Sequence, residues 1–147
     1  MGLILCATRG GEESVNTQQK AIDMAKERGD SLAFLYVADS SFLNKTAAAV
    51  VVDINDEISD MGEFILTLAV ERAEKAGIHA EAIIQKGIIR EVLPEIAKEL
   101  GANFIVVGRP AKGTGRFDQD EFDEYLSWLE NETGADIIIN KELPGDQ

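Results

Sequence analysis

Two short segments, Ala7–Gly11 and Gly108–Arg116, carry four basic side chains and no acidic one. The whole chain of 147 residues has 14 Lys and Arg against 27 Asp and Glu, a formal net charge of −13, so these segments reverse the local sign. Their glycines leave backbone N–H groups accessible to an oxygen anion. Together these groups have the chemistry of an anion or phosphate site, with the cations Arg9, Arg109, Lys112 and Arg116.

The phosphate-binding motifs of fixed spacing do not fit these segments. Gly108 and Gly113 are spaced as in a P-loop, but Thr114-Gly115 stand where Lys and Ser or Thr are required. Gly113 and Gly115 begin like a dinucleotide fingerprint, but Asp118 occupies the position of its third glycine. Both motifs are therefore excluded.

Residue types typical of catalysis are scarce. The chain has one histidine, His79, and one cysteine, Cys6, in different predicted strands, which do not assemble into a Cys–His pair or a Ser-His-acid triad. The acidic stretch Asp118–Glu124 has the pattern of a helix start, because Asp118 and Glu121 form a capping box. We predict no catalytic residue and no metal site, and thus a protein that is not an enzyme.

Charge and composition exclude several partner classes. A net charge of −13 repels the phosphate backbone that supplies most nucleic-acid affinity. The apolar runs are only a few residues long and no charged leader precedes one, so neither a membrane span nor a signal peptide is predicted. One cysteine cannot form an internal disulfide. We expect a cytoplasmic protein with a single domain over residues 1–147.

Apolar runs alternate with amphipathic segments along the chain. This alternation predicts parallel strands, helical crossovers and a sheet covered on both faces, which is the doubly wound α/β class. The predicted strands are Gly2–Ala7, Ser31–Ala38, Ile78–Gln85, Asn103–Val107 and Ala135–Asn140, and the predicted helices are Glu13–Arg28, Asp56–Ala76, Ile89–Leu100 and a segment around Phe122–Leu129.

Two segments fit that pattern less well. Asp39–Asn55 mixes polar flanks with small and β-branched residues, and we predict it to be irregular. Pro94 removes a backbone donor from its helix, which predicts weak opening turns and a start later than Ile89. Ligands of doubly wound sheets bind outside the carboxyl ends of the strands, so the site is expected in the loops after strands one, two and four.

Four stretches of the chain resemble the universal stress proteins of the UspA family. They are Leu35–Asp39, Gly87, Glu91–Ala97 and Gly101–Gly108, of which the last is the most specific. The resemblance covers the whole chain and implies a three-layer sandwich with five parallel strands in the order 3-2-1-4-5, like the adenine nucleotide alpha-hydrolase fold. It also implies a homodimer that acts in stress adaptation; many members bind ATP or another adenine nucleotide without robust turnover.

The nucleotide-binding branch of that family has the motif G-x2-G-x9-G-[ST] after the fourth strand. Here Gly108 matches the first glycine, Ala111 replaces the second, and Glu121-Phe122 stand in place of Gly-Ser/Thr. Arg9 replaces the family's acidic nucleotide contact after the first strand. The resemblance therefore implies either a stress protein that has lost ATP or one that holds an anion with side-chain cations.

The candidate ligands are ATP and AMP, with Mg²⁺ only if ATP binds. Val37 and Val107 remain suitable walls for a flat base. The residues assigned to the nucleotide or anion site are Ala7, Thr8, Arg9, Val37, Val107, Gly108, Arg109, Lys112, Gly113, Thr114, Gly115 and Arg116.

Two other functions stay open at this point. The segment Arg9–Ser14 resembles the S-G-G-x-[DE]-S loop of ATP pyrophosphatases, which cleave ATP between its α and β phosphates, although its first Ser is Arg here. A dimeric adaptor without any ligand is the other alternative.

The last predicted strand contains three consecutive isoleucines, Ile137, Ile138 and Ile139. The strand order implied by the resemblance places it at an edge of the sheet, where unpaired backbone groups favour pairing with another strand. We predict a homodimer in which this strand pairs with its copy about a two-fold axis. The alternative is a monomer whose tail, Lys141–Gln147, covers the edge.

Overall fold

The computed structural model describes residues 2–8, 12–38, 48–108 and 119–140. Over these ranges strands and helices alternate, as the sequence predicts. The strands are β1 (Leu3–Ala7), β2 (Ser31–Ala38), β3 (Ala80–Lys86), β4 (Phe104–Gly108) and β5 (Asp136–Asn140), and the helices are α1 (Glu12–Arg28), α2 (Ala48–Lys75), α3 (Ile89–Leu100) and α4 (Gln119–Thr133).

The strands form one parallel sheet in the order β3-β2-β1-β4-β5. The central strand β1 pairs with β2 and β4, and its Cys6 lies opposite Phe34 on one side and Val106 on the other. Helices α1 and α2 pack on one face of the sheet, and α3 and α4 on the other. The predicted three-layer doubly wound fold and its strand order are confirmed.

The middle of β1 explains why its sequence shows no polar alternation. Ile4 and Cys6 belong to the core beneath α1 and α2, whereas Leu5 belongs to the core beneath α3 and α4. All three are fully buried, because both faces of the sheet are covered. Burying one large aliphatic side chain stabilises a fold by roughly 1.5–3 kcal/mol, so this strand anchors both layers.

Helix α2 begins at Ala48. The prediction of irregular backbone over Asp39–Asn55 was therefore wrong for residues 48–55, while residues 39–47 lie outside the described ranges. The β-branched residues of 50–52 lower intrinsic helix propensity by only a few tenths of a kcal/mol each, roughly. Propagation of an existing helix adds a backbone hydrogen bond for each residue fixed, which outweighs that preference.

Helix α2 approaches the sheet closely at Gly62. A Cβ atom there would lie 2.4 Å from Cδ1 of Tyr36 on β2 and 2.9 Å from Cδ1 of Ile84 on β3, well inside van der Waals contact. Only a glycine lets the helix lie this near the Tyr36 ring. The contact fixes where α2 crosses the β2–β3 side of the sheet.

Helix α3 starts at Ile89 and contains Pro94 as a buried residue. The expectation of a later start was wrong. Proline removes the N–H that would bond to the carbonyl four residues earlier, which is that of Arg90. This carbonyl accepts a hydrogen bond from Tyr125 of α4 instead, so the opening turns keep their acceptor satisfied.

Candidate functional site

The carboxyl ends of β1, β2 and β4 lie side by side, since these three strands are neighbours in the sheet. Ala7, Val37 and Val107 stand at or near those ends and all face the α3–α4 side. Ala7 and Val37 are half-buried, and Val107 is buried. They form a small apolar wall at the edge where a doubly wound sheet binds its ligand.

Thr8 follows β1 and is buried at this edge, with 4% of its surface exposed. Its backbone N–H donates to the carbonyl of Leu35 on β2 at 2.8 Å, which extends the pairing of β1 with β2 by one residue. Its hydroxyl oxygen accepts a hydrogen bond of 2.7 Å from Nε2 of Gln18 on α1. A threonine hydroxyl is one donor and two acceptor sites, so this bond leaves its hydrogen able to donate.

Gln18 connects the crevice edge to the second helix on the same face. It is almost fully buried, at 2% exposure, and its Oε1 accepts a hydrogen bond from the guanidinium of Arg72 on α2. The amide thus uses its acceptor for Arg72 and its donor for Thr8. A buried polar group in this arrangement fixes the rotamers of its neighbours, because leaving either partner unpaired costs free energy.

Gly108 ends β4 against helix α1. A Cβ atom at this position would lie 2.8 Å from Oγ1 of Thr17, so a larger residue requires the Thr17 side chain to move. The backbone of Gly108 also pairs with Asn140 of β5. The first glycine of the motif after the fourth strand therefore has a structural reason that does not depend on a ligand.

The polar residues on the inner face of α1 were missed by sequence reasoning. Ser14, Thr17, Gln18 and Ala21 recur at i, i+3, i+4 and i+7, and all four are buried. Val15, the large apolar residue of these first turns, lies off that face and is 39% exposed. A sequence signal for these residues does exist. The inner face of α1 has apolar core residues in its later turns and polar residues in its first turns, and those first turns follow the end of β1.

The structure brings together the strand-end part of the predicted site and leaves the loop part undescribed. Ala7, Thr8, Val37, Val107 and Gly108 lie at or next to the carboxyl ends of the neighbouring strands β1, β2 and β4; their role in binding stays a prediction. The remaining predicted residues lie outside the described ranges: Arg9, Arg109, Lys112, Gly113, Thr114, Gly115 and Arg116.

The single cysteine and the single histidine lie in different environments. Cys6 is fully buried, and this burial raises the pKa of its thiol far above the ordinary value. His79 is exposed and precedes β3. Within the described residues, no group of three or more His, Cys, Asp or Glu side chains could hold a metal ion, and no helix is long and apolar enough to cross a membrane.

Comparisons with known proteins agree with this architecture. The model of the universal stress protein family matches residues 1–117. Universal stress protein YxiE of Bacillus subtilis (strain 168) is 29% identical over 113 residues, which is 71% of this chain and 76% of that protein.

Two solved structures of universal stress proteins share the fold. One is UspA from Lactobacillus plantarum, with a TM-score of 0.77 and 16% identity over 95% of this chain and 97% of that one. The other is a universal stress protein in complex with cAMP, with a TM-score of 0.69 and 22% identity over 95% of this chain and 96% of that one. Because the family model matches most of its length, the chain belongs to the universal stress protein family.

Proposed function

We propose that this protein binds an adenine nucleotide or a related phosphate anion in the crevice at the carboxyl ends of β1, β2 and β4, and that it acts by binding rather than by turnover. One observation carries the proposal: the sheet order places the ends of β1 and β4 next to each other. In sequence, Arg9 follows Thr8 and Arg109 follows Gly108 directly. Cations from the two basic segments are thus attached to adjacent strand ends.

The described strand-end residues would contact the base of a nucleotide, and the cations of the basic segments would contact its phosphates. Val37 and Val107 offer an apolar wall on one face of the sheet, and a flat base buries apolar area there. The hydroxyl of Thr8 can donate to a ribose or phosphate oxygen. Hydrogen bonds from Arg or Lys to phosphate are about twice as strong as neutral ones, which compensates for Ala111 where the family motif has a backbone-exposing glycine.

A relative supports nucleotide as the ligand class, since one of the solved structures that share the fold holds cAMP. AMP and cAMP carry one phosphate and need no metal to neutralise a triphosphate. ATP would bring Mg²⁺ with it. The two alternatives are an adaptor without ligand and an ATP pyrophosphatase.

Thermal unfolding in the presence of ATP, ADP, AMP, cAMP or inorganic phosphate distinguishes these functions. A ligand at a hundred times its dissociation constant adds about 2.7 kcal/mol of stability. We expect a shift with at least one nucleotide, a smaller shift at high salt, and none in the double variant Arg109→Ala, Lys112→Ala.

The matched control is the double variant Lys26→Ala, Lys75→Ala. It makes the same change of charge in the last turns of α1 and α2, at the opposite end of the sheet, and should keep the shift. An unchanged shift in the Arg109 and Lys112 variant would remove the site from these loops. No shift with any nucleotide would favour the adaptor, and release of AMP and pyrophosphate from ATP would favour the enzyme.

A further inference from the structure

A groove of about 550 Å³ lies between helix α2 and strand β3, and it shares no residue with the crevice at the strand ends. Its floor is apolar and consists of Leu66 and Val70 from the helix and Ala82 and Ile84 from the strand. Ala82 is exposed and Ile84 is half-buried.

The rim of the groove is acidic. Glu63, Glu71 and Glu74 of α2 line it, and the described residues that line it include no Lys or Arg. All three glutamates are exposed. Glu71 and Glu74 are three residues apart on one helix and repel each other, and a bound cation relieves that repulsion. The charge of the rim therefore favours a basic partner.

The strand beside the groove lies at an edge of the sheet. Among the described residues β3 pairs only with β2, so its other side presents backbone N–H and C=O groups without a strand partner there. Such an edge accepts an extended peptide as an additional strand, with affinity from main-chain hydrogen bonds and specificity from alternate side chains.

The spacing of the glutamates matches the repeat of a strand. Glu63 and Glu71 are eight residues apart on one helix, which corresponds to about 12 Å at a rise of ~1.5 Å per residue. Residues i and i+4 of a strand point to the same side and are about 13 Å apart. Two basic residues at i and i+4 of an added strand can therefore reach both carboxylates, while residue i+2 faces the apolar floor.

We propose that this groove binds an extended basic segment of a partner protein, which adds to the edge of β3, places two Lys or Arg side chains on Glu63 and Glu71, and packs the apolar side chain between them onto Val70 and Ala82. Helix α2 provides the glutamates that select a basic segment, and strand β3 provides the backbone groups that pair with it. The site therefore requires both elements.

A labelled peptide tests this arrangement. The probe is fluorescein-Thr-Lys-Thr-Val-Thr-Lys-Thr-amide, which has Lys, Val and Lys on one side in extended form, and its binding to the full chain is measured by fluorescence anisotropy at low salt. The double variant Glu63→Gln, Glu71→Gln should bind at least about ten times more weakly. The same peptide with Glu in place of both Lys should not bind.

The control for net charge is the double variant Glu99→Gln, Glu130→Gln, which changes two exposed carboxylates on α3 and α4 and should keep the affinity of the original protein. Amide NMR shifts caused by the probe should concentrate on β3. Equal weakening in both double variants, shifts away from β3, or no binding to the original protein at millimolar peptide would each overturn the proposal.

Discussion

The phenolic oxygen of Tyr125 on α4 donates a hydrogen bond of 3.1 Å to the backbone carbonyl of Arg90 on α3. That carbonyl is four residues before Pro94, which has no N–H to donate. Burial raises the pKa of Tyr125 to about 12, so its proton is retained over the whole physiological range. A side chain from one helix thus replaces the backbone donor that the proline removes from the next.

The substitution Tyr125→Phe should lower the free energy of unfolding by about 0.5–1.5 kcal/mol, the usual net contribution of one hydrogen bond. In a Pro94→Ala background the loss should be smaller, because the alanine N–H can bond to Arg90 within the helix. Urea unfolding of the four proteins in this double-mutant cycle measures the coupling. Equal losses in both backgrounds would contradict the replacement.

The same tyrosine has a defined dependence on alkaline pH. Its pKa in the folded protein, about 12, lies above the ordinary value of 10.0. A group whose neutral form is favoured in the fold stabilises it at pH below 10, and this contribution is lost as the pH rises from 10 to 12. The difference in stability between the original protein and Tyr125→Phe should therefore shrink in that interval.

Gln18→Leu should destabilise the protein by about 1–3 kcal/mol, because it leaves the buried hydroxyl of Thr8 and the guanidinium of Arg72 without their partner. If the crevice binds a nucleotide, the thermal shift should also decrease, since Thr8 is no longer held. The control is Gln19→Leu, which removes an exposed amide bonded to Asp23 and should change stability by less than about 0.5 kcal/mol. Similar losses in both variants would show that the buried amide has no special role.

Asp30 should stabilise the protein at neutral pH, and this contribution should be lost in acid. The backbone N–H of Gly2 donates to its Oδ1 and Nε of Arg28 to its Oδ2, each at 2.9 Å, and these contacts lower the pKa of the carboxyl below its ordinary value of 3.8. A lowered pKa stabilises the fold above that value, and the contribution is lost as the pH falls through the pKa of the folded state. Urea midpoints of the original protein and of Asp30→Asn should differ at pH 7 and begin to converge as the pH falls below about 4; a constant difference would contradict this.

The homodimer through β5 stays a prediction. β5 is at one edge of the described sheet, and Ile137, Ile138 and Ile139 are half-buried there. Ile138→Pro removes a backbone donor and obstructs pairing from this strand. Sedimentation should show a dimer for the original protein and a monomer for the folded variant. A monomeric original protein at micromolar concentration would leave the tail 141–147 as the cover of that edge.

The sequence predicts what depends on local pattern. The apolar run of β1 and the periodicity of α3 give elements within a residue or two of those observed, and the strand order follows once the family resemblance is accepted. The hydrogen bond from Tyr125 to Arg90 joins residues 35 apart in sequence, and no local pattern indicates it. The chain from Arg72 through Gln18 to Thr8 likewise depends on how α1 and α2 pack, so tertiary structure alone reveals it.

The reactivity of the buried Cys6 thiol shows whether the core of the protein is open. Alkylating reagents react with the thiolate, and the folded protein withholds it on the central strand, where the sulfur contacts the carbonyl of Thr17 on α1. Modification must therefore wait for α1 to leave the sheet or for the whole fold to open. Because the chain has one cysteine, the rate of iodoacetamide labelling measures that opening at a single site. Oxidation of this thiol likewise requires an opened molecule, because the sulfur is buried in the fold.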